Sequence, residues 1–363
     1  MELPQEAYNL IVKYVGSKTD LAALCTVSRA FQRAAERALY NTLDLRGQRQ
    51  AVSVCDVLAR MTRLAVLVVA LSIFAQDGES SGEDSTPPND VFWSTITHAL
   101  QNTTRLRFLN IYAHHGIEMA TAWILDSCSF QLRNFHCDLA WDDHLISFLS
   151  TQSRLTDLYL VDYKDSAPSL AGDHDHILPR LSVLECTFTE AATALVPGRP
   201  ITRLKTCFSR TSIDGKRSEL RALLSSIRLS RKALRALDIA DSSYTAEFSS
   251  ELLTSLVNSV HVYDLRYLGT LVLPIGGRQR LEFYGLLIRF SKLRCVEVDV
   301  SEWDPPPTHP AALRALACEL RLYCPTVSRV IFVYDFERLS VSVLDNLCVP
   351  DDEEVSDNLW RDV

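Results

Sequence analysis

LRFLNI (106–111) sets leucine, leucine and isoleucine at its first, fourth and sixth places, and that spacing returns along the chain. LRNFHC (132–137), LTDLYL (155–160), LSVLEC (181–186), LRALDI (234–239), LGTLVL (268–273), LRCVEV (293–298) and VSRVIF (327–332) repeat it. LKTCFS (204–209) reads as a degraded copy and LAVLVV (64–69) as an early one. In an extended chain the fourth and sixth places point the same way, so each copy predicts a short strand with one apolar face. From Leu106 to Val327 successive copies start 23 to 34 residues apart. Between several of them the spacing turns helical. WDDHLISFLSTQS gathers Trp141, Leu145, Phe148 and Leu149 on one side behind Asp142 as N-cap, RSELRALLSSI gathers Leu220, Leu223, Leu224 and Ile227, and AEFSSELLTSLVNSV gathers Phe248, Leu252, Leu256 and Val260. Strand then helix at this period predicts an α/β solenoid whose units bury their faces by stacking on neighbours. An ordinary α/β fold with parallel strands would show the same alternation, so alternation alone leaves both open.

From about residue 64 to 335 the pattern resembles the leucine-rich repeats. That family usually carries Asn or Cys further along each unit, bonding the backbone in a ladder. Here those places hold His114, Ala140, Tyr163, Thr189, Ser212, Ser242, Gly276, Ser301 and Asp335, so irregular repeats are expected. The resemblance implies an array over 46–349, interrupted near 76–90 by QDGESSGEDSTPPND, which has no apolar residue to bury and is expected to be disordered. DPPP (304–307) reads as a stiff exposed connection, and 350–363 as an acidic tail frayed in solvent.

Composition narrows the function classes. In 363 residues, 47% apolar and 23% charged, there is ample material for a core, and the net charge of −8 argues against general affinity for nucleic acid or anionic membranes. Residues 1–63 carry nine Lys/Arg against six Asp/Glu, so +3, leaving −11 for the remainder. Arg29, Arg33 and Arg37 fall on one side of a helix and read as a solvated face. No basic stretch precedes an apolar one near the start, and the longest apolar run, 64–75, is too short to span a bilayer. A cytoplasmic or nuclear location is expected. The ten cysteines form no C-x-x-C pair, and Cys137, Cys186 and Cys207 are expected to be small inward-facing hydrophobes.

The first 45 residues follow other rules. LPQEAYNLIVKYV (3–15) predicts a helix with Pro4 in its first turn, Glu6 near the positive dipole end, and a stripe of Leu10, Ile11, Tyr14 and Val15. DLAALCTV predicts a second helix capped by Asp20 with Leu21, Leu24 and Val27 inward. SRAFQRAAERALY starts a third at Ser28, carrying Phe31, Ala35, Ala38 and Leu39. Three helices this short build little core alone and must pack on the next domain, on a partner, or on both.

In their combined order Leu3-Pro4, Glu6, Leu10, Ile11, Val15, Leu21, Leu24, Val27, Ser28-Arg29, Phe31, Leu39-Tyr40 and Leu43-Asp44-Leu45 resemble an F-box, of the kind found at the start of many fungal proteins. Family members more often carry Trp where this chain has Phe31, which keeps an aromatic anchor and loses the indole N–H. The resemblance implies that Leu3, Pro4, Glu6, Leu10, Ile11, Val15, Leu21, Leu24, Val27 and Phe31 contact the Skp adaptor of a cullin–RING ubiquitin ligase. The repeats would then capture a protein substrate for ubiquitylation. A helical cap on the first repeat is the competing reading, with the chain a scaffold outside any ligase.

In leucine-rich repeats the place between the last two apolar residues faces the concave surface. Here that implies Asn110, His136, Tyr159, Glu185, Phe208, Asp238, Val272, Glu297 and Ile331, with Tyr112, Asp138, Arg210 and Asp299 next outward. Acids outnumber bases, so a basic or mixed peptide is the expected ligand, anchored on Tyr112, Tyr159 and Phe208.

Catalytic constellations are faint. GDHDH (172–176) offers His174 and His176 without a further ligand, His114-His115 lack the Glu-x-x-His of zinc proteases, and IGGRQR (275–280) lacks both nucleotide fingerprints. No cofactor or metal is expected and the chain reads as a binding protein; an α/β enzyme with an unrecognised pocket is the remaining alternative.

Overall fold

The protein, seen here as a computed structural model, is described over residues 4–75, 89–113, 122–161, 177–241, 243–259, 263–351 and 353–363. Its chain divides into two compact units. The first holds α1 (Gln5–Lys13), α2 (Lys18–Leu24), α3 (Arg29–Asn41), β1 (Thr42–Arg46), α4 (Gln48–Arg60), α5 (Thr62–Ala65), β2 (Ala70–Phe74), α6 (Asp90–Asn102), β3 (Phe108–Tyr112), β4 (Asn134–Cys137), α7 (Asp143–Thr151) and β5 (Asp157–Leu160). The second holds β6 (Val183–Cys186), α8 (Thr189–Leu195), β7 (Arg203–Cys207), α9 (Ile213–Arg228), β8 (Ala236–Ala240), α10 (Ala246–Val257), β9 (Tyr267–Val272), α11 (Gly277–Leu287), β10 (Cys295–Asp299), α12 (Pro310–Tyr323), β11 (Arg329–Tyr334), β12 (Glu337–Leu344), β13 (Leu347–Pro350) and α13 (Leu359–Asp362).

In the first unit β1 to β5 pair in chain order, all parallel, with one register. Leu43, Leu71, Leu109, Phe135 and Leu158 stand side by side, as do Leu45, Ile73, Ile111, Cys137 and Leu160. All ten are buried while their neighbours along each strand are half-buried or exposed, the period-two alternation of a sheet with one covered face. The second unit repeats the design through Leu184, Leu204, Leu237, Leu268, Val296 and Val330 on β6 to β11. Within each unit every strand up to β11 follows its predecessor after a helix or irregular crossover and lies parallel to it, the geometry of stacked strand-and-helix repeats. The helices start where side chains can satisfy their free N–H groups: Asp142 Oδ1 accepts from Leu145 N at 2.8 Å, Asn89 Oδ1 from Phe92 N at 2.9 Å, and Thr245 Oγ1 from Phe248 N at 3.2 Å. Trp141, Leu145, Phe148 and Leu149 are buried, as are Leu220, Leu223, Leu224 and Ile227, and Phe248, Leu252 and Leu256; Val260 lies outside the described residues.

The structure corrects the reading in several places. LAVLVV is not a strand: α5 and a turn occupy it, and β2 follows four residues later, with Val68, Leu71 and Ile73 in the pattern. An unbroken apolar run fits several registers equally, and pairing of Leu71 with Leu43 selects this one. LKTCFS is likewise displaced, since Ile201, Leu204 and Thr206 are the inward positions; Cys207 shares its face with Lys205 instead. On β9 a bulge at Gly269 and Thr270 shifts the register, and Thr270 has φ 39°. In the N-terminal helices Pro4 is the N-cap of α1, Ser17 rather than Asp20 caps α2, and Val27 points outward. Arg29, Arg33 and Arg37 are all exposed. Of the 76–90 stretch, 76–88 lie outside the described residues, while Asn89 and Asp90 begin α6.

Beyond β11 the chain turns antiparallel. β12 pairs with β11 and β13 with β12, through two-residue turns at Asp335-Phe336 and Asp345-Asn346, all four residues at positive φ. The frayed tail is the largest correction. Residues 353–363 return to the strands of the second unit and end in α13, whose Trp360 is 2% exposed. Acids made the segment look soluble, but Val355, Leu359, Trp360 and Val363 recur on one side, and a buried Trp removes on the order of 200 Å² from water.

Candidate functional site

Three surfaces carry the expected site residues. On the N-terminal helices, Val12, Leu21, Ala34 and Ala35 form a small core, with Tyr8, Val15, Leu24, Phe31 and Leu39 packed around it. Phe31 meets Tyr8 edge to face, ring centroids 4.8 Å apart. Leu21, Leu24, Val15 and Phe31, expected to touch a partner, therefore hold the helices together instead. Pro4 and Glu6 are exposed, and Leu3 lies outside the described residues. What remains outward is Leu10 at 57% exposure, Ile11 at 42%, Tyr14 at 80% and Val27 at 65%. Leu10, Ile11 and Tyr14 lie within about 100° of arc on α1. The helices pack on the first unit through α3, where Glu36 takes an ion pair from Arg63 on α5 at 2.5 Å. Arg63 holds the Glu36 carboxyl below its usual range, although partial burial works against it.

The second surface is the face of β1 to β5 opposite the leucine rows. Here Arg46, Phe74 and Tyr112 stand in register, followed two residues back along the strands by Asn110, His136 and Tyr159. Phe74 and Tyr112 stack at 5.4 Å with ring planes 9° apart, Tyr112 and Tyr159 lie at 6.2 Å, and His136 meets Tyr159 edge-on at 5.8 Å. The Arg46 guanidinium lies 5.5 Å over the Phe74 ring, and His136 Nε2 is 3.3 Å from Asp157 Oδ1. All these rings are half-buried, and together they form one aromatic row. Tyr112, His136 and Tyr159 belong to it as expected. Asp138 does another job: both its carboxylate oxygens lie 2.8 Å from Ala113 N, so it takes the place of the absent Asn in bonding backbone between strands. Phe74 was missed because the early repeat copy was read in the wrong register, and Arg46 because its strand, β1, precedes every copy of the repeat.

The third surface is the matching face of β6 to β11, and it is covered. Its middle row is Glu185, Lys205, Asp238, Gly269 and Glu297, bounded by Ala236, Tyr267, Cys295 and Ile331. Trp360 is packed among those last four, with Val355, Leu359 and Val363 beside it. Arg361 Nη2 donates to Glu185 Oε2 at 2.6 Å, and Lys205 Nζ reaches Glu185 Oε1 at 3.5 Å. Glu297 accepts two hydrogen bonds from Arg338, at 3.1 and 2.8 Å, and one from the Tyr267 hydroxyl at 2.7 Å. Among the described residues Asp238 accepts only from Thr270 Oγ1, at 3.3 Å, and burial, reinforced by the Glu297 charge, pushes its carboxyl up to about 6. Glu185, Asp238 and Glu297 thus sit together as expected, but the chain's own segment lies on them. Asp299 is half-buried and accepts from Ser301 N at 2.7 Å. Phe208 is no surface anchor: it is buried on the other side, edge-on to Phe248 at 5.6 Å, because the degraded copy was misread by three residues. Lys205 holds the surface place instead. Trp360 and Arg361 were hidden by the acidic run around them, although an aromatic-basic pair in such a run was a readable signal.

Among the described residues no group of three or more His, Cys, Asp or Glu is placed to hold a metal ion, and none of their helices is long and apolar enough to cross a membrane. His114, His115, His174 and His176 lie outside the described residues. All ten cysteines are free thiols; burial pushes Cys137 and Cys186 up to about 12, where they are inert.

No protein-family model matches the chain, and no curated protein matches it in sequence. Among solved structures it is similar to the leucine-rich-repeat-containing protein LegL7 from Legionella pneumophila, at 15% identity and a TM-score of 0.34, over 86% of this chain and 81% of that one. An overlap that loose adds nothing to the fold read from the strands. What defines the chain is its own geometry, parallel strand-and-helix units in sequence order, as in leucine-rich-repeat proteins.

Proposed function

We propose that this chain is the substrate-recognition subunit of a Skp–cullin–F-box ubiquitin ligase. In this reading α1 to α3 dock on the Skp adaptor, in cytoplasm or nucleus, and the aromatic row of the first unit captures a protein segment. The chain itself performs no catalysis and needs no cofactor; ubiquitin transfer belongs to the ligase it joins. The observation that carries the reading is that Leu10, Ile11, Tyr14 and Val27 all face outward on helices whose sequence resembles an F-box. Several exposed apolar side chains on so small a helical piece are a mark of a partner site.

The aromatic row suits a protein ligand because its rings present flat apolar area with little side-chain entropy left to lose. A second reading, a scaffold outside any ligase, takes its support from the Glu36–Arg63 contact, which lets the helices act as a cap on the first unit.

Co-purification with a fungal Skp adaptor separates the two. The full chain is expected to retain the adaptor and the Leu10→Asp/Ile11→Asp double variant to lose it. An adaptor-free full chain, or a double variant that binds unchanged, would leave the scaffold reading in place.

A further inference from the structure

The strands of the two units differ in one respect that their repeats do not explain. Strands of the first unit alternate between buried and part-exposed residues, whereas the first four residues of β8 and of β10 are buried without a break. Both faces are covered there, and the cover on the second face is the 353–363 segment. It is a thin cover. α13 has four residues, too short to persist unaided. Its polar attachments include the Arg361–Glu185 pair, Arg203 Nη2 to the Val363 backbone oxygen at 3.3 Å, and Arg338 Nη1 to Ser356 O and Asp357 Oδ1 at 3.3 and 3.2 Å.

The fit beneath it is incomplete. Among the described residues the indole N–H of Trp360 and the Nε–H of Arg203 are buried without acceptors, which a core contact rarely tolerates. Asp238, buried in the middle row, makes no ion pair among the described residues, while the row carries three acids against one lysine. The face therefore offers an apolar socket (Ala236, Tyr267, Cys295, Ile331) flanked by a carboxylate already gripping a guanidinium, and a further carboxylate still lacking a cation.

We propose that residues 353–363 are a displaceable occupant of this face, and that the ligand taking it in trans is a protein segment with an aromatic residue followed by arginine. The proposal rests on reading the repeats as a protein-binding surface. It deepens that reading by naming the ligand chemistry: the aromatic ring enters the Trp360 socket, the arginine pairs with Glu185, and a second cation reaches Asp238. The chain's own segment, competing from the same molecule, sets the affinity a ligand must exceed.

The test uses the full chain and a fluorescein-labelled peptide of residues 353–363, EEVSDNLWRDV, read by fluorescence anisotropy. The Trp360→Ala/Arg361→Ala protein, its face uncovered, is expected to bind the peptide at least tenfold more tightly than the unaltered protein. A peptide with alanine for both residues should bind neither. Cys295, which lies against Trp360, reports opening: iodoacetamide should label it at least tenfold faster in the variant while Cys186 and Cys324 stay protected.

A variant with Cys295 open, Cys186 and Cys324 protected and no peptide bound overturns the proposal, making the segment a fixed cover. Where Cys186 and Cys324 open too, the milder Arg361→Glu chain decides. It keeps Trp360 and sets two carboxylates together; tighter peptide binding than the unaltered protein supports the proposal and its absence overturns it. Adaptor capture involves only α1 to α3, so either result leaves the docking reading to be judged separately.

Discussion

Arg361 and Glu185, 176 residues apart in sequence, meet with Arg361 Nη2 donating to Glu185 Oε2 at 2.6 Å. Through that pair the segment 353–363 is tied to β6, the first strand of the second unit. The pair is partly shielded, its side chains 13% and 20% exposed, so it is screened less than a surface pair.

A double-mutant cycle measures the tie. Arg361→Ala and Glu185→Ala are expected to lose stability non-additively in urea, with a coupling energy of about 1 kcal/mol. Additive losses would mean that the two side chains meet without holding each other.

Asp238 makes stability depend on pH. Its folded pKa, about 6, lies above its usual value of 3.8, so the folded chain binds the proton more tightly than the unfolded one. Its contribution is then greatest below the unfolded value, falls as pH rises from about 4 to 6, and is level above that. Asp238→Asn removes the titration. The variant is expected to match the unaltered protein near pH 4 and to exceed it by about 2 kcal/mol at pH 7.5, read as a gap in urea midpoints that opens across that window. A gap constant with pH would place the carboxyl's titration elsewhere.

Lys216 is buried in α9, and all three of its protons have a use: Asp241 Oδ2 at 2.5 Å, Ser243 Oγ at 2.8 Å and Ser243 O at 3.2 Å. Lys216→Ala leaves Asp241 charged and buried, at an expected cost of about 3–5 kcal/mol. Lys216→Met with Asp241→Leu should recover most of that loss. If the single variant costs under about 1 kcal/mol, water reaches Asp241 in solution.

Gly269 is small because Asp238 needs the room. A Cβ there would lie 2.4 Å from Asp238 Oδ1. Gly269→Ala is expected to cost about 1–3 kcal/mol, and Asp238→Ala in the same chain to relieve much of it. Thermal unfolding of the four proteins checks whether the two positions are coupled.

The docking variant should separate binding from stability. Leu10 and Ile11 touch water in the free chain, so Leu10→Asp/Ile11→Asp is expected to shift stability by about 0.5 kcal/mol or less while adaptor capture is lost. Val12→Asp, one residue on and buried, should instead melt the three helices, which far-ultraviolet dichroism would register.

Much of the architecture was readable because repeat spacing is a local signal. Leu106, Leu109 and Ile111 announce β3 without reference to the rest of the chain, and seven further copies do the same for their strands or lie within a few residues of them. Tyr112, His136, Tyr159, Glu185, Asp238 and Glu297 followed as surface positions from that register alone. Where the signal weakened, register failed. LAVLVV is apolar throughout and LKTCFS only partly so, and each misplaced its strand by three or four residues, losing Phe74 and Lys205 and promoting Phe208. The Asp345-Asn346 turn between two alternating runs was legible as a hairpin and was passed over.

By itself the sequence determined the strand-and-helix alternation, the parallel order of units, the helical start with its outward Leu10 and Ile11, and the acid-rich surface row, because each depends on spacing within a few residues. Only the tertiary structure decided what covers that row. Trp360 and Arg361 find Ala236, Tyr267, Cys295, Ile331 and Glu185 through contacts between positions far apart in the chain, and no local period encodes which distant face an aromatic side chain will fill.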